Sequence, residues 1–278
     1  MSALTETAYA KVNLALHVRR KRSDGYHDLE TLFAFAEDGD ILDGVLSDSI
    51  RLTITGPFAD GLSDTDNLVV RAAKAVQGRF AVAAGAHLSL NKLLPVASGI
   101  GGGSADAAAT ARLLNRLWGI GAEDGELEQL LGPLGADIPA CVRSHSVYGG
   151  GTGTTLIPVD DRDIRGRPLL LVNPLLPVAT SAVFNAWDGI DRGELGSSMP
   201  WLDAASGRND LQTPAVRLCP DIAAVLAMLD GTGAILTRMS GSGATCFSIF
   251  EDVVTRDAAQ ARIASACPQW WTMASFLR

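Results

Sequence analysis

The chain has 278 residues, 47% of them hydrophobic and 19% charged, enough to fill one large or two modest cores and too apolar for a disordered protein. Its formal charge of −8 argues against nucleic-acid binding, which rests on neutralising phosphates with lysine and arginine. No apolar run approaches the ~18 residues of a membrane helix, and the start, Met1 to Glu6, lacks the basic and apolar pattern of a signal peptide.

From Ala8 to Val18 the residues alternate, which predicts a strand: Ala8, Ala10, Val12, Leu14, Leu16 and Val18 share one face, and Tyr9, Lys11, Asn13, Ala15 and His17 the more polar other. The basic tract Arg19-Arg20-Lys21-Arg22 follows, and reads equally as a solvated loop or as a cluster that steers phosphate. Asp24-Gly25 marks a turn, with a second strand expected through Leu29, Thr31, Phe33 and Phe35. Ile50 to Thr55 alternates as a strand, Leu68 to Val82 reads as a helix beginning after Asp66-Asn67, and His87 to Asn91 as a strand. Then comes Ser98-Gly99-Ile100-Gly101-Gly102-Gly103-Ser104-Ala105-Asp106, opening into an Ala- and Leu-rich helix with Ser104 placed to cap it and an end near Gly119 to Gly121. A helix from Asp124 to Leu131 is stopped by Gly132-Pro133, and Val147 to Val159 is a Gly- and Thr-rich strand pair. Beyond a polar seam at Pro158 to Arg167 lie a strand (Leu169 to Val172), a helix (Ser181 to Trp187) and a polar loop (Gly189 to Pro200). A helix (Ile222 to Leu229), a strand–Gly-turn–strand unit (Ala234 to Phe250) and a closing helix (Arg256 to Ala266) complete the chain. The elements mix without a regular βαβ beat, so an α+β fold of two parts, 1–160 and 161–278, is expected. The four cysteines, Cys141, Cys219, Cys246 and Cys267, lie far apart without metal-ligand spacing and fit reduced thiols in a cytoplasmic protein.

The glycine run carries the strongest chemical signal. Glycines let backbone approach a ligand closely, and a loop ending at a helix N-terminus offers unpaired N–H groups and a positive dipole end, which favour phosphate. A P-loop would need Gly-Lys-Ser/Thr after the last glycine, and a dinucleotide fingerprint would need glycine where Ser104 stands. Lys11 and Asn13 share a strand face. Asp137, in Leu134-Gly135-Ala136-Asp137-Ile138-Pro139, reads on its own as a helix cap with Pro139 in the first turn, although a cap can also face a site. A second glycine loop, Met239-Ser240-Gly241-Ser242-Gly243-Ala244-Thr245, reads as a tight hairpin-like connection or as another anion nest. Tyr26-His27 offers a stacking ring beside a hydrogen-bonding one. With no hydrolase elbow, zinc-protease or protein-kinase signature present, a phosphate loop, a lysine and an aspartate leave phosphoryl transfer.

Together these segments resemble the GHMP family of small-molecule kinases, named for galactose, homoserine, mevalonate and phosphomevalonate. Leu94-Pro95 through Ala108 is similar to the family's central motif. Ala10-Lys11-Val12-Asn13, Asp24-Gly25-Tyr26-His27, Asp66-Asn67-Leu68, Gly135-Ala136-Asp137-Ile138-Pro139, Asn209-Asp210-Leu211 and Met239 to Gly243 resemble the branch that acts on a cytidyl diphosphate-linked methylerythritol. The resemblance implies an N-terminal domain like ribosomal protein S5 domain 2 and a ferredoxin-like C-terminal domain. It further implies ATP-dependent phosphorylation of that substrate's 2-hydroxyl, an isoprenoid-precursor step. By position it makes Asp137 the catalytic base and Lys11 its partner. Pro95, Val96, Ala97, Ser98, Gly99, Ile100, Gly101, Gly102, Gly103, Ser104 and Ala105 become the ATP loop, with Asn67 and Lys92 near the nucleotide. Asn13, Tyr26, His27, Thr180 and Phe184 fall on the substrate side. Mg²⁺ would bridge the phosphates, with Ser104 as protein contact. A small-molecule partner is expected, with no nucleic acid or membrane, and a monomer or homodimer. Tyr9 stands where the family usually has proline, and Thr154 where an acidic residue commonly follows Gly-x-Gly.

Overall fold

The alternating run at the start forms β1 (Leu4–Lys21) and continues into β2 (His27–Ser47), with which it pairs. The structure, a computed structural model, describes residues 3–196 and 199–278. Met1 and Ser2 of the start, and Ser197 and Ser198 of the expected polar loop, lie outside the described residues. Contacts divide the chain into two compact units. One takes the chain up to Ala10, Asp38–Val96 and Gly101–Ser144, the other Lys11–Glu37, Ala97–Ile100 and His145–Arg278. Neither unit is a continuous segment such as 1–160 or 161–278, because β1, β2 and the glycine run each contribute to both.

In the first unit, Ile41–Ser47 of β2 pairs antiparallel with β4 (Gly85–Asn91). Strand β4 in turn lies parallel to β3 (Arg51–Thr55), reached by a crossover through α1 (Leu68–Arg79). Asn67 caps α1 from an extended conformation, its Oδ1 accepting from Val69 N at 2.9 Å. The helix buries Val69, Val70, Ala72, Ala73 and Val76. After α2 (Gly102–Leu117) and α3 (Asp124–Leu131), a 3₁₀ turn at Gly132–Leu134 leads into α4 (Ile138–Arg143). Helix α2 packs against α1 and α4. Its buried alanines, Ala105, Ala107, Ala108, Ala109 and Ala111, are distributed around the helix and are small enough to bring those axes close.

Ser104 does not cap α2. The N-cap is Gly101, in the left-handed region at φ 67°, so the helix begins at Gly102 and Ser104 lies within its first turn.

In the second unit, Thr31–Phe33 of β2 pairs with β5 (Val147–Gly150), which forms a hairpin with β6 (Thr155–Pro158). A separate antiparallel sheet has the order β10-β7-β9-β8, from β7 (Pro168–Asn173), β8 (Leu236–Met239), β9 (Cys246–Ile249) and β10 (Trp271–Phe276). All six residues of β7 are buried, as befits a central strand. Between β7 and β8 run α5 (Thr180–Asn185), α6 (Pro200–Ser206), α7 (Gln212–Leu218) and α8 (Asp221–Asp230), and α9 (Val253–Ala266) precedes β10. Leu16 and Val18 of β1 join Leu170, Val172, Ile222, Phe250 and Ile263 in one core. The α+β expectation holds; α6, α7 and β10 are additions to the sequence reading. No described helix is long and apolar enough to cross a membrane.

Candidate active site

In the first unit the predicted residues gather at the N-terminus of α2. Its first backbone hydrogen bond runs from Ala105 N to Gly101 O at 2.8 Å, so the N–H groups of Gly102, Gly103 and Ser104 precede the helical ladder. A Cβ on Gly103 would come 3.4 Å from Leu68 at the head of α1, next to the cap Asn67. A Cβ on Gly102 would lie 3.1 Å from Lys92 Nζ, and one on Gly135 would lie 3.9 Å from Ser104 Oγ. The turn that carries Asp137 therefore lies near the first turn of α2. Asp137 occupies the N-cap position of α4 with helical dihedrals and a side chain that makes no capping bond, its carbonyl accepting from Cys141 N at 3.1 Å. The capping reading holds for position but not for the carboxylate.

Lys92 is buried, and its ammonium donates to Asp40 and to Asp106 Oδ2, the latter at 2.7 Å. Oδ1 of Asp40 also accepts from Leu93 N at 2.5 Å and Leu94 N at 2.8 Å. Two carboxylates thus share one ammonium. Burial, opposed by Lys92 and reinforced by Asp40, pushes the Asp106 carboxyl up to about 7, and its Oδ1 is buried with no partner. Burial works against the charge on Lys92, but Asp106 and Asp40 outweigh it and hold its pKa above the ordinary value. Neither aspartate was singled out as the partner of Lys92, since separations of 52 and 14 positions leave no sequence pattern.

In the second unit the polar face of β1 is itself buried. Lys11, only 3% exposed, donates from Nζ to Asn13 Oδ1 at 2.9 Å and sits 4.7 Å from the centroid of Phe33. Asn13 Nδ2 donates to Thr31 Oγ1 at 2.8 Å, and Thr31 to Ala15 O at 2.6 Å, which fixes the amide's orientation. The backbone of Lys11 donates to Ile100 O at 2.9 Å. The second glycine loop is a hairpin connection between β8 and β9 and a buttress for this region. Ser240 Oγ donates to Gly99 O at 3.0 Å and accepts from Asn13 N at 3.1 Å, while Thr245 N donates to Ser98 O at 3.1 Å. Gly99, at φ 79°, is obligatory: a Cβ there would come 2.5 Å from Ser240 O.

His27 and Tyr26 do not share an environment. His27 is 6% exposed and Tyr26 66%. The His27 ring lies 5.1 Å from Phe184 and 5.7 Å, edge-on, from Trp187. Burial, then Lys21, draws its pKa below the ordinary value. Thr180 Oγ1 sits 3.0 Å from Ser242 Oγ, tying the head of α5 to the glycine loop. Trp187 was outside the expected set; it lies beyond the end of α5, where no helical spacing marks it as a neighbour of His27. The basic tract is matched by carboxylates: Arg19 pairs with Glu30 and Asp191, Arg20 with Asp28, and Arg22 with Asp24 and Asp28. Arg19, Arg20 and Lys21 belong to the end of β1 and not to a loop, and the ion pairs favour a solvated role over phosphate steering.

Residues 67–145 match the GHMP kinases N terminal domain and 189–269 the GHMP kinases C terminal. Over 278 residues the chain is 52% identical to the 4-diphosphocytidyl-2-C-methyl-D-erythritol kinase of Rhizorhabdus wittichii, covering 99% of this chain and 94% of that one. It is 50% identical to the kinase of the same name from Sphingopyxis alaskensis, covering both chains fully at 100%. The chain belongs to this kinase family. A crystal structure of 4-(cytidine 5'-diphospho)-2C-methyl-D-erythritol kinase shares its two-domain α+β fold, with a TM-score of 0.78, 32% identity and 99% coverage of each chain. Within the family frame, Thr154 is exposed in the β5–β6 turn, with Thr152 Oγ1 at 3.3 Å from its hydroxyl. Tyr9 packs under Arg112, 5.8 Å from its ring centroid.

Proposed function

We propose that this ATP-dependent small-molecule kinase transfers a phosphoryl group to the 2-hydroxyl of 4-diphosphocytidyl-2-C-methyl-D-erythritol, with Asp137 as base and Lys11 as the catalytic cation. The observation that carries the substrate is half-identity, along the whole chain, to kinases bearing that name. Asp137 would accept the hydroxyl proton, a contribution typically worth about 10²–10⁴ in rate. Lys11, its ammonium oriented by Asn13, would neutralise charge as it develops on the attacking oxygen.

Residues Pro95 to Ala105 would cradle the phosphates, using the N–H groups of Gly102, Gly103 and Ser104 that precede the α2 ladder. Asn67 and Lys92 would act near the nucleotide indirectly, Asn67 by capping α1 and Lys92 by bracing α2 through Asp106. Asn13, Tyr26, His27, Thr180 and Phe184 form the proposed substrate side. Among the described residues no group of three His, Cys, Asp or Glu side chains could hold a metal, and Asp106 is committed to Lys92. That donor set fits Mg²⁺ held chiefly by phosphate oxygens, with the Ser104 hydroxyl as protein contact; when bound, the ion offsets phosphate charge. The net charge of −8 supports a small-molecule partner over nucleic acid, the four free cysteines support a cytoplasmic setting, and 1–160 and 161–278 are the proposed inherited segments.

Mass spectrometry of products after incubation with ATP, Mg²⁺ and the cytidyl substrate tests the reaction. Asp137→Asn should keep nucleotide binding and fold while losing about 10² or more in turnover. Near-normal turnover in that variant, or equal use of a substrate lacking cytidine, would refute the assignment.

A further inference from the structure

One cavity of the second unit contains none of the residues given to nucleotide or substrate. It encloses about 320 Å³ beside α7 and β8. Four arginines line it, Arg192, Arg208, Arg217 and Arg238, against two carboxylates, Asp188 and Asp210. Both carboxylates are already taken. Asp188 pairs with Arg192 at 2.5 Å and Asp210 with Arg208 at 2.8 Å, and the second oxygen of Asp210 accepts from Val18 N at 2.8 Å.

Among the described residues no carboxylate pairs with Arg217 or Arg238. Arg217 is exposed in the last turn of α7. Arg238 is buried, and its guanidinium donates to the carbonyls of Leu14, Ala204 and Gly207. Those bonds satisfy hydrogens without cancelling charge, and burial draws its pKa to about 10, still cationic at neutral pH. Two further groups point the same way. Trp187 lines the cavity with its ring, its indole Nε1 being buried away from the surface, while Thr213 adds a hydroxyl that can donate. Gln212 has its Oε1 engaged by Met239 N at 3.0 Å, so its donor end is what it has left to offer.

We propose that this cavity is a second anion site, built for a small molecule carrying a phosphate or diphosphate group. The unused polar groups at its wall are donors or cations, a local reversal of sign on a chain of charge −8. The arginines come from four places in the chain: Arg192 before α6, Arg208 before α7, Arg217 in α7 and Arg238 in β8. Tetrahedral phosphate oxygens can take donors from several directions at once, whereas a planar carboxylate matches one guanidinium fork. The volume admits such a group together with a few waters.

Inorganic pyrophosphate, titrated by calorimetry into the full chain saturated with a non-hydrolysable ATP analogue, tests the site. The analogue's own binding heat, read first, keeps a failure of the kinase reading apart from a failure of this one. The expected result is one further equivalent of pyrophosphate, bound more weakly as salt is raised. Arg217→Gln should weaken it about tenfold, the Arg192→Gln/Arg217→Gln pair more, and Arg217→Lys less, with melting temperatures unchanged. Absence of binding, binding unaltered in the paired variant, full displacement by the analogue, or citrate binding more tightly than pyrophosphate would each overturn the proposal.

Discussion

Lys11 and Asn13 are buried on a strand face that alternation marked as polar, and their burial is what gives them fixed geometry. An ammonium desolvated beside Phe33 needs an acceptor, and Asn13 Oδ1 supplies one while Thr31 holds the amide in place. Lys11→Met should therefore lower kcat and also cost about 1–3 kcal/mol of stability, because the buried Asn13 Oδ1 loses its donor; kinetics and thermal melts read the two effects separately. The aromatic group makes a different contribution. His27 packs on Phe184, and a base stacked on Phe184 would gain the 1–3 kcal/mol that aromatic platforms typically give. Phe184→Ala should raise KM for the cytidyl substrate about tenfold to a hundredfold while leaving KM for ATP unchanged. Steady-state kinetics with each substrate varied in turn would show it; an equal rise in both constants would remove Phe184 from the substrate side. Tyr26 could not be placed from sequence, because adjacency in the chain says nothing about which of two neighbouring rings is buried.

The Asp40–Lys92–Asp106 cluster joins β2, the end of β4 and α2, and it sets a pH dependence whose sign can be worked out. Asp106 has a folded pKa near 7, above the 3.8 of an unperturbed aspartate. The folded state thus holds a proton that the unfolded chain releases, so this group's contribution is fully present below about pH 4 and is lost as pH rises towards 7. Asp106→Asn should flatten that slope and leave stability at pH 8 unchanged or raised, since Lys92 keeps Asp40. Asp40→Asn should cost about 3–5 kcal/mol, because it turns an amide donor onto a buried ammonium. Urea unfolding of both variants between pH 4 and 8 checks the pair, and an unchanged slope in Asp106→Asn would contradict the assignment. The same cluster explains why β2 was legible only in part. Glu37-Asp38-Gly39-Asp40 carries the composition of a turn, yet the strand continues through it. Gly39 admits the Ala8 carbonyl where a Cβ would come 1.9 Å away, and Asp40 is satisfied from Lys92 and the following backbone. Helices α6 and α7 were hidden by Pro200 and Pro214, which sit in first turns where no intrahelical N–H bond is lost. By contrast, β3, α3 and α8 could be read directly, because their periodicity is local and their ends carry no competing signal.

At the scale of the molecule, the glycine loop leading into α2 was visible in sequence because it is a local motif, whereas Lys11 and Asp137 drew their expected roles only from the family resemblance. The division of the chain was not visible, because it depends on pairings between distant segments. Strand β1 supplies Leu16 and Val18 to the same core as β7, β9 and α8, and Arg238 of β8 donates to Leu14 O. Leu16 N also donates to Arg208 O at 2.8 Å, and Asp210 N to Leu16 O at 2.9 Å. The second unit consequently cannot be completed by residues after 160 alone. A fragment of 161–278 would expose the apolar surface that Leu16 and Val18 cover, about 1.5–3 kcal/mol for each such side chain, and leave the buried Arg238 without one of its carbonyls. It should lack cooperative thermal unfolding and show poorly dispersed amide resonances. Adding residues 1–37 as a second polypeptide should restore both, because that piece carries β1 and the first part of β2. A cooperative melt from 161–278 alone would show that the core of the second unit closes without β1.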